Sequence, residues 1–226
     1  GWEKTAHALQ QEKGAVVKAL AKQLSGLNVT EGLVEELTKK LKFDLEKPGD
    51  WTDEQLKSLA VHIRKKSKPM IIAANKMDLP TADANLERIK KEFPDYPIIP
   101  VSAEAELTLR SSHKAGLINY LPGDGDFAAK GNLSPKQLEA LEYIRKNVLK
   151  KYGNTGTQKV LNTAVLDLLK YMAIFPGGVN KLADKDGNVM PDCWLLPPGS
   201  TAYNFAQKIH TDIAAHFVAA MDVKTK

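Results

Sequence analysis

Two short apolar runs flanking an amphipathic stretch constrain this chain more than any other feature. Met70-Ile71-Ile72-Ala73-Ala74 follows Pro69, and Pro97-Ile98-Ile99-Pro100-Val101 is the second run; between them Leu86, Ile89 and Phe93 recur at helical spacing. Strand, helix and strand within about thirty residues make a βαβ unit, whose connection is right-handed and whose strands are parallel. The fold class expected is therefore α/β. The first strand, an apolar run without alternation, is expected to be buried on both faces. Both strands must end on the same edge of their sheet.

The residues on either side read differently. Residues 3–68 read as helices throughout: Val16, Val17, Leu20 and Leu24 form one stripe that stops at Gly26, and Val34, Leu37 and Leu41 form another. Thr52, with Gln55 three residues on, predicts a capping box in front of Leu56, Leu59, Ala60 and Ile63. After the βαβ unit come a helix around Leu107 to Tyr120, a loop at Gly123-Asp124-Gly125-Asp126, and a helix opened by Ser134-Pro135 that runs to Gly153. Another helix follows through Val160, Leu161, Val165, Leu168 and Leu169. The last stretch carries strand-like runs at Met172 to Phe175, Cys193 to Leu196 and Val218 to Val223, with an Asp-Gly turn in Asp184-Lys185-Asp186-Gly187-Asn188 and a short helix through Phe205 and Ile209. Three parts are expected: a helical insert over residues 1–68, an α/β part over 69–170, and a small partial domain over 171–226.

The chemistry concentrates where the first strand ends. Asn75-Lys76-Met77-Asp78 has the spacing of the guanine-recognition loop of GTPases. An Asp78 carboxylate can accept from the ring N–H and the exocyclic amine of guanine, an arrangement adenine cannot satisfy. The Asn75 amide can donate to the base and brace the loop, and the Lys76 stem can lie across the base plane. Val101-Ser102-Ala103 ends the neighbouring strand, where GTPases place a Ser-Ala loop whose backbone N–H meets the guanine carbonyl. Two parallel strands open both loops at the edge where α/β ligands bind. The candidate site is thus Asn75, Lys76, Asp78, Ser102 and Ala103.

Other patterns carry less. No Gly-x-x-x-x-Gly-Lys-Ser/Thr occurs, so neither a phosphate cradle nor a hydroxyl for Mg²⁺ can be assigned, and no catalytic residue is expected in this chain. Asp184 to Gly187 formally contains Asp-x-x-Gly, yet reads as a hairpin turn. Five histidines show no i, i+4 pair, so no metal site is expected. Ser200-Thr201 stands where a helix N-cap is needed rather than a nucleophile. Arg64-Lys65-Lys66-Ser67-Lys68 and Lys146 with Lys150 and Lys151 read as solvated helix faces that could also touch RNA phosphates, and the net charge of +5 permits such a partner without requiring one. One cysteine, Cys193, rules out an intrachain disulfide. No apolar run approaches the roughly 18 residues of a membrane span, and the expected compartment is the cytoplasm. The chain opens Gly1-Trp2-Glu3-Lys4 without an initiator Met, which suggests a piece of something longer.

Taken together, these features resemble the Obg family of translation-associated GTPases, in particular its YchF-type branch in archaeal form. The resemblance runs from Pro69 to Asp78, through Ser102-Ala103-Glu104-Ala105-Glu106-Leu107-Thr108-Leu109-Arg110 and Leu121-Pro122-Gly123, to Asn154-Thr155-Gly156-Thr157. Leu195-Leu196-Pro197-Pro198-Gly199-Ser200-Thr201 with Ile209-His210-Thr211-Asp212 is similar to a TGS domain, a ubiquitin-like β-grasp. The resemblance implies the C-terminal part of a P-loop-type GTPase domain with a helical insert and a partial TGS domain. It also implies GTP as ligand, Mg²⁺ held by residues outside this chain, and the ribosome or ribosomal RNA as partner. Some family members carry Glu in place of Asp78 and prefer ATP, so Asp78 implies GTP. The rival reading is a non-enzymatic RNA- or protein-binding module with a vestigial nucleotide loop. Because phosphoryl transfer depends on placing the phosphates and Mg²⁺, purified residues 1–226 should release phosphate from GTP no faster than buffer. Turnover that survives repurification and vanishes in Asp78→Ala would overturn that expectation.

Overall fold

The computed structural model describes residues 15–177, 182–183, 186–189 and 192–222. Two compact units divide the chain between Met70 and Ile71.

The described part of the first unit is helical: α1 (Ala15–Gln23), α2 (Glu31–Lys40) and α3 (Asp53–Ser67). Thr30 caps α2 by accepting the Leu33 N–H, and Thr52 and Gln55 form the expected capping box on α3. The first apolar stripe ends otherwise than expected. A 3-10 turn, Ser25–Leu27, carries the chain past Gly26, and the left-handed residue is Asn28, whose short polar side chain tolerates φ +57°. Val16, Val17, Leu20, Val34, Leu37, Leu59 and Ile63 close over one another as a core, and Trp51 joins it edge-on to Phe43 with ring centroids 4.6 Å apart. The indole N–H finds the Asp44 carbonyl at 2.8 Å, so the ring is buried without stranding a donor.

In the second unit β1 (Ile72–Ala74) runs parallel to β2 (Ile98–Pro100), with Ile72 opposite Ile98, Ala73 opposite Ile99 and Ala74 opposite Pro100. Helix α4 (Ala82–Glu92) connects them. The expectation that β1 is buried on both faces is not met. Ala74 is buried, but Ile72 is half-buried and Ala73 exposed, because among the described residues β1 pairs with β2 alone. Next come α5 (Ala103–Lys114) and an antiparallel pair, β3 (Ile118–Asn119) with β4 (Ala128–Ala129). Helix α5 therefore begins before Leu107, where the Ser102 hydroxyl caps it, and ends before Tyr120, where Gly116 turns the chain at φ +74°.

Helix α6 (Pro135–Ile144) carries the Ser134 and Gln137 capping box. It continues through a π-helical stretch, Arg145–Leu149, into a last turn, α7 (Lys150–Tyr152), that stops at Gly153 with φ +83°. Ala105, Leu109, Ile118, Tyr120, Phe127, Leu141, Ile144, Val148 and Leu149 form the core beneath these elements. Arg145 covers it from outside, 4.0 Å above the Phe127 ring and bonded to Asp126 and to the Phe127 carbonyl. Helix α8 (Thr157–Asn162) also passes into a π-helical stretch, Thr163–Leu168, and its apolar residues are half-buried or exposed.

The last stretch pairs β5 (Met172–Ile174) antiparallel with β6 (Trp194–Leu196), and an isolated bridge joins Ala183 to Val189. Asp184 and Lys185 of the expected turn lie outside the described residues; Gly187 has the positive φ such a turn needs. Thr201 caps α9 (Ala202–Ile209) through a capping box with Asn204, which bears out its structural role, and α10 (Thr211–Ala215) follows. The expected strand at Val218 is not formed. Residues 218–222 make no ladder and Val218 is 94% exposed, so its side chain has no apolar face to enter; Val223 lies outside the described residues. No helix of the described residues is long and apolar enough to cross a membrane.

Leu37 is 1% exposed at the centre of the first unit. Leu37→Ala should destabilise that unit by about 2–5 kcal/mol, read as faster amide hydrogen exchange throughout α1 to α3. Since the two units have separate cores, exchange in β1 and β2 should stay unchanged.

Candidate functional site

The loop leaving β1 is set from below. Ala74 O accepts the Val101 N–H at 2.8 Å, Val101 O accepts the Met77 N–H at 3.1 Å, and the Met77 side chain is 2% exposed between β1 and α4. Burying Met77 turns its neighbours outward: Asn75 and Lys76 are exposed and Asp78 is half-buried. The reversal requires Lys76 to sit at φ +67°, a left-handed conformation costing a non-glycine residue about 1–3 kcal/mol. That cost has to be offset by contacts from outside the loop.

Several contacts do so. Asn75 Oδ1 accepts both the Lys76 N–H at 2.8 Å and the Ala103 N–H at 3.1 Å, closing one loop on the other. The Ser102 hydroxyl donates to Asp78 Oδ1 at 2.7 Å and accepts the Ala105 N–H at 3.3 Å as the N-cap of α5. Ser102 itself is completely buried, and its N–H donates to Thr155 O at 2.9 Å. All five residues picked from the sequence thus lie in one bonded cluster. The structure assigns Ser102 a contact that its sequence position did not suggest, since its hydroxyl rather than its N–H reaches across. Among the described residues Asp78 Oδ2 and Asn75 Nδ2 have no partner, which leaves the loop with an uncommitted acceptor and an uncommitted donor.

A buried polar network underlies Ser102. Glu106, 4% exposed, accepts from Thr155 Oγ1 at 2.5 Å and Tyr120 Oη at 2.8 Å on one oxygen, and from Arg110 Nε at 2.6 Å on the other. Burial pushes the Glu106 carboxyl up, but the three hydrogen bonds and the Arg110 charge together hold it below its ordinary value. Tyr120 is pushed up to about 12, first by burial and then by the Glu106 carboxylate. Gly156 locks the next residue against β2. With φ +82°, a Cβ there would stand 1.9 Å from Pro100 O, a position only glycine can fill.

A third group of contacts was not visible in the sequence. The Tyr143 hydroxyl on α6 donates to Asp78 O at 2.8 Å, the Tyr152 hydroxyl donates to Asp83 Oδ1 at 2.6 Å, and Lys151 pairs with the other Asp83 oxygen. No motif marks these residues, because they lie 65 to 69 positions from their partners. Of the basic clusters, Lys66 pairs with Glu36 at 3.0 Å and Lys151 with Asp83, both as exposed pairs. A hollow of about 320 Å³ runs along β1 and α4, bordered by Asn75, Lys76 and Asn85 but not by Asp78 or Ser102.

The chain is similar to known proteins in sequence and in fold. The family described as Obg-like GTPase YGR210-like, G4 motif-containing domain matches residues 73–178, and the TGS domain family matches residues 181–225. The chain is 46% identical over 226 residues to the uncharacterized GTP-binding protein MJ1332 of Methanocaldococcus jannaschii, with 100% of this chain and 56% of that one covered. It is 31% identical over 209 residues to the uncharacterized GTP-binding protein C428.15 of Schizosaccharomyces pombe, covering 87% of this chain and 50% of the relative. The chain therefore spans about half the length of these curated relatives. The crystal structure of a GTP binding protein from Pyrococcus horikoshii OT3 superposes with a TM-score of 0.69 at 38% identity, covering 100% of this chain and 60% of that one.

The lowered Glu106 carboxyl has a consequence for acid stability. With a folded pKa below the unfolded one, the unfolded chain binds more protons in acid, so the stabilisation is complete above about pH 4.3 and fades as pH falls through the folded value. Glu106→Gln should flatten this acid limb and cost about 1–3 kcal/mol at neutral pH by weakening bonds to buried partners. Thermal unfolding of both chains between pH 3 and 7 checks it; parallel acid limbs would remove Glu106 as their source.

Proposed function

From the premise that the chain belongs to the Obg-like GTPases and carries a TGS domain, we propose that Asn75, Lys76, Asp78, Ser102 and Ala103 read the guanine base of GTP. The observation that carries this is the bond from the buried Ser102 hydroxyl to Asp78 Oδ1. It holds one carboxylate oxygen in place and leaves Oδ2 uncommitted, while Asn75, held through its Oδ1, keeps its amide N–H₂ uncommitted as well. Guanine offers a matching edge. Its ring N–H and exocyclic amine meet the Asp78 carboxylate, while Asn75 Nδ2 donates to the base and the Ala103 N–H, now on Asn75 Oδ1, turns to the carbonyl. Lys76, exposed on its left-handed turn, lays its stem over the ring.

GTP hydrolysis on this reading is the work of residues outside positions 1–226, because the chain contains no phosphate-loop motif. GTP supplies the phosphoryl group when bound. Mg²⁺ on this reading would be held with the phosphates by residues outside positions 1–226. We assign residues 1–68 to a helical insert, 69–170 to the GTPase part and 171–226 to the TGS part. Ribosome or ribosomal RNA as partner is supported by the Obg resemblance, and the cytoplasm as compartment by the lone Cys193.

Replacing the Asp78 carboxylate with an amide puts a donor where guanine has an amine and xanthine an oxygen. Competition of GDP against XDP on the full-length gene product should show Asp78→Asn losing its GDP preference by about 1–3 kcal/mol, by analogy with bidentate base readout. An unchanged preference would reduce Asn75 to Asp78 to an ordinary turn.

A further inference from the structure

We infer that Tyr143 is a positioning residue for base selectivity, acting through Asp78; this rests on the guanine reading above. Asp78 is held at two points, both from outside its own loop. Ser102 fixes one carboxylate oxygen, and the Tyr143 hydroxyl, 65 residues along the chain, fixes the backbone carbonyl at 2.8 Å. Backbone bonds hold the residues on either side, Met77 N–H to Val101 O and Leu79 N–H to Lys76 O, but neither acts on the Asp78 peptide carbonyl. The Tyr143 hydroxyl does, and together with the Ser102 bond it fixes the direction in which Oδ2 points. The need is local, because Lys76 at φ +67° holds the loop in a conformation its own residues do not favour.

The helix geometry supports the assignment independently. Nine residues of uninterrupted α-helix make about 2.5 turns, which would put Tyr143 and Tyr152 on opposite faces. Instead, the intervening Arg145–Leu149 stretch is π-helical and wider, and it turns Tyr152 back toward the side of Tyr143. Both tyrosines then reach the same short segment, Tyr143 at Asp78 and Tyr152 at Asp83, with Lys151 beside it. Tyr143 is 47% exposed, and its ring is not part of the adjoining cores, so the hydroxyl can be removed without opening a cavity.

The test is a double-mutant cycle on the full-length gene product. Affinities for GDP and XDP are measured in wild type, Tyr143→Phe, Asp78→Asn and the double variant, with thermal melting as a control on folding. Tyr143→Phe should weaken GDP by about three- to tenfold, the range of one net hydrogen bond, and narrow the preference for GDP over XDP. In the Asp78→Asn background the same change should alter GDP affinity less than twofold. A shift in preference with Asp78→Asn but none with Tyr143→Phe would overturn the positioning role while leaving the base-reading assignment standing. Equal weakening of both nucleotides in both backgrounds would also overturn it, since a merely structural tyrosine behaves so. If Asp78→Asn leaves the preference unchanged, the base reading fails and the role of Tyr143 fails with it.

Discussion

One buried hydroxyl, that of Ser102, joins parts of the second unit that are far apart in sequence. It donates to Asp78, accepts the N–H of Ala105 and so starts a helix, while the Ser102 backbone N–H bonds to Thr155. A hydroxyl has one proton and two lone pairs, and with no exposure to water each partner must come from the protein. The β1 loop, the start of α5 and the turn before α8 are therefore mutually fixed. A serine at this position caps a helix and orients a carboxylate with the same atom, so neither the cap nor the site can be changed alone.

Beneath it the polarity is arranged in layers. Glu106 lies one helical turn below Ser102 and takes three donors, which lets an ionised carboxyl stay at 4% exposure. Breaking one member of such a network strands the others in a place that water does not reach, and its energetic weight comes from that penalty more than from any bond's own strength. Thr155 carries the connection upward, since its hydroxyl bonds to Glu106 and its carbonyl to the Ser102 N–H. The Asn154 to Thr157 turn is thus part of the support of the loop, and the glycine within it is required by the closeness of Pro100.

Much of this was legible in the residues themselves. The capping box at Thr52, the helix start at Ser134-Pro135 and the parallel pairing of the two apolar runs rest on forces acting within a few residues or on period alone, and they occur as expected. The clustering of Asn75 to Asp78 with Ser102 and Ala103 follows as well, because two parallel strands must open their loops on one edge. The burial of β1 did not follow, since an apolar run says that a strand seeks cover but not whether a neighbour supplies it. The expected strand at Val218 failed for the same reason.

What the sequence by itself determined is the local grammar and the residue types of the site: a βαβ unit, its caps and turns, and a loop that sets Asn75, Lys76 and Asp78 at the end of a strand. What only the tertiary structure decided is where that chemistry points. The π-helical stretch at Arg145–Leu149 lies in a segment that reads as plain α-helix, and the pairing of Tyr143 with Asp78 spans 65 residues. Local periodicity carries no trace of either, because both depend on packing between distant segments, and tertiary context overrides local helix propensity.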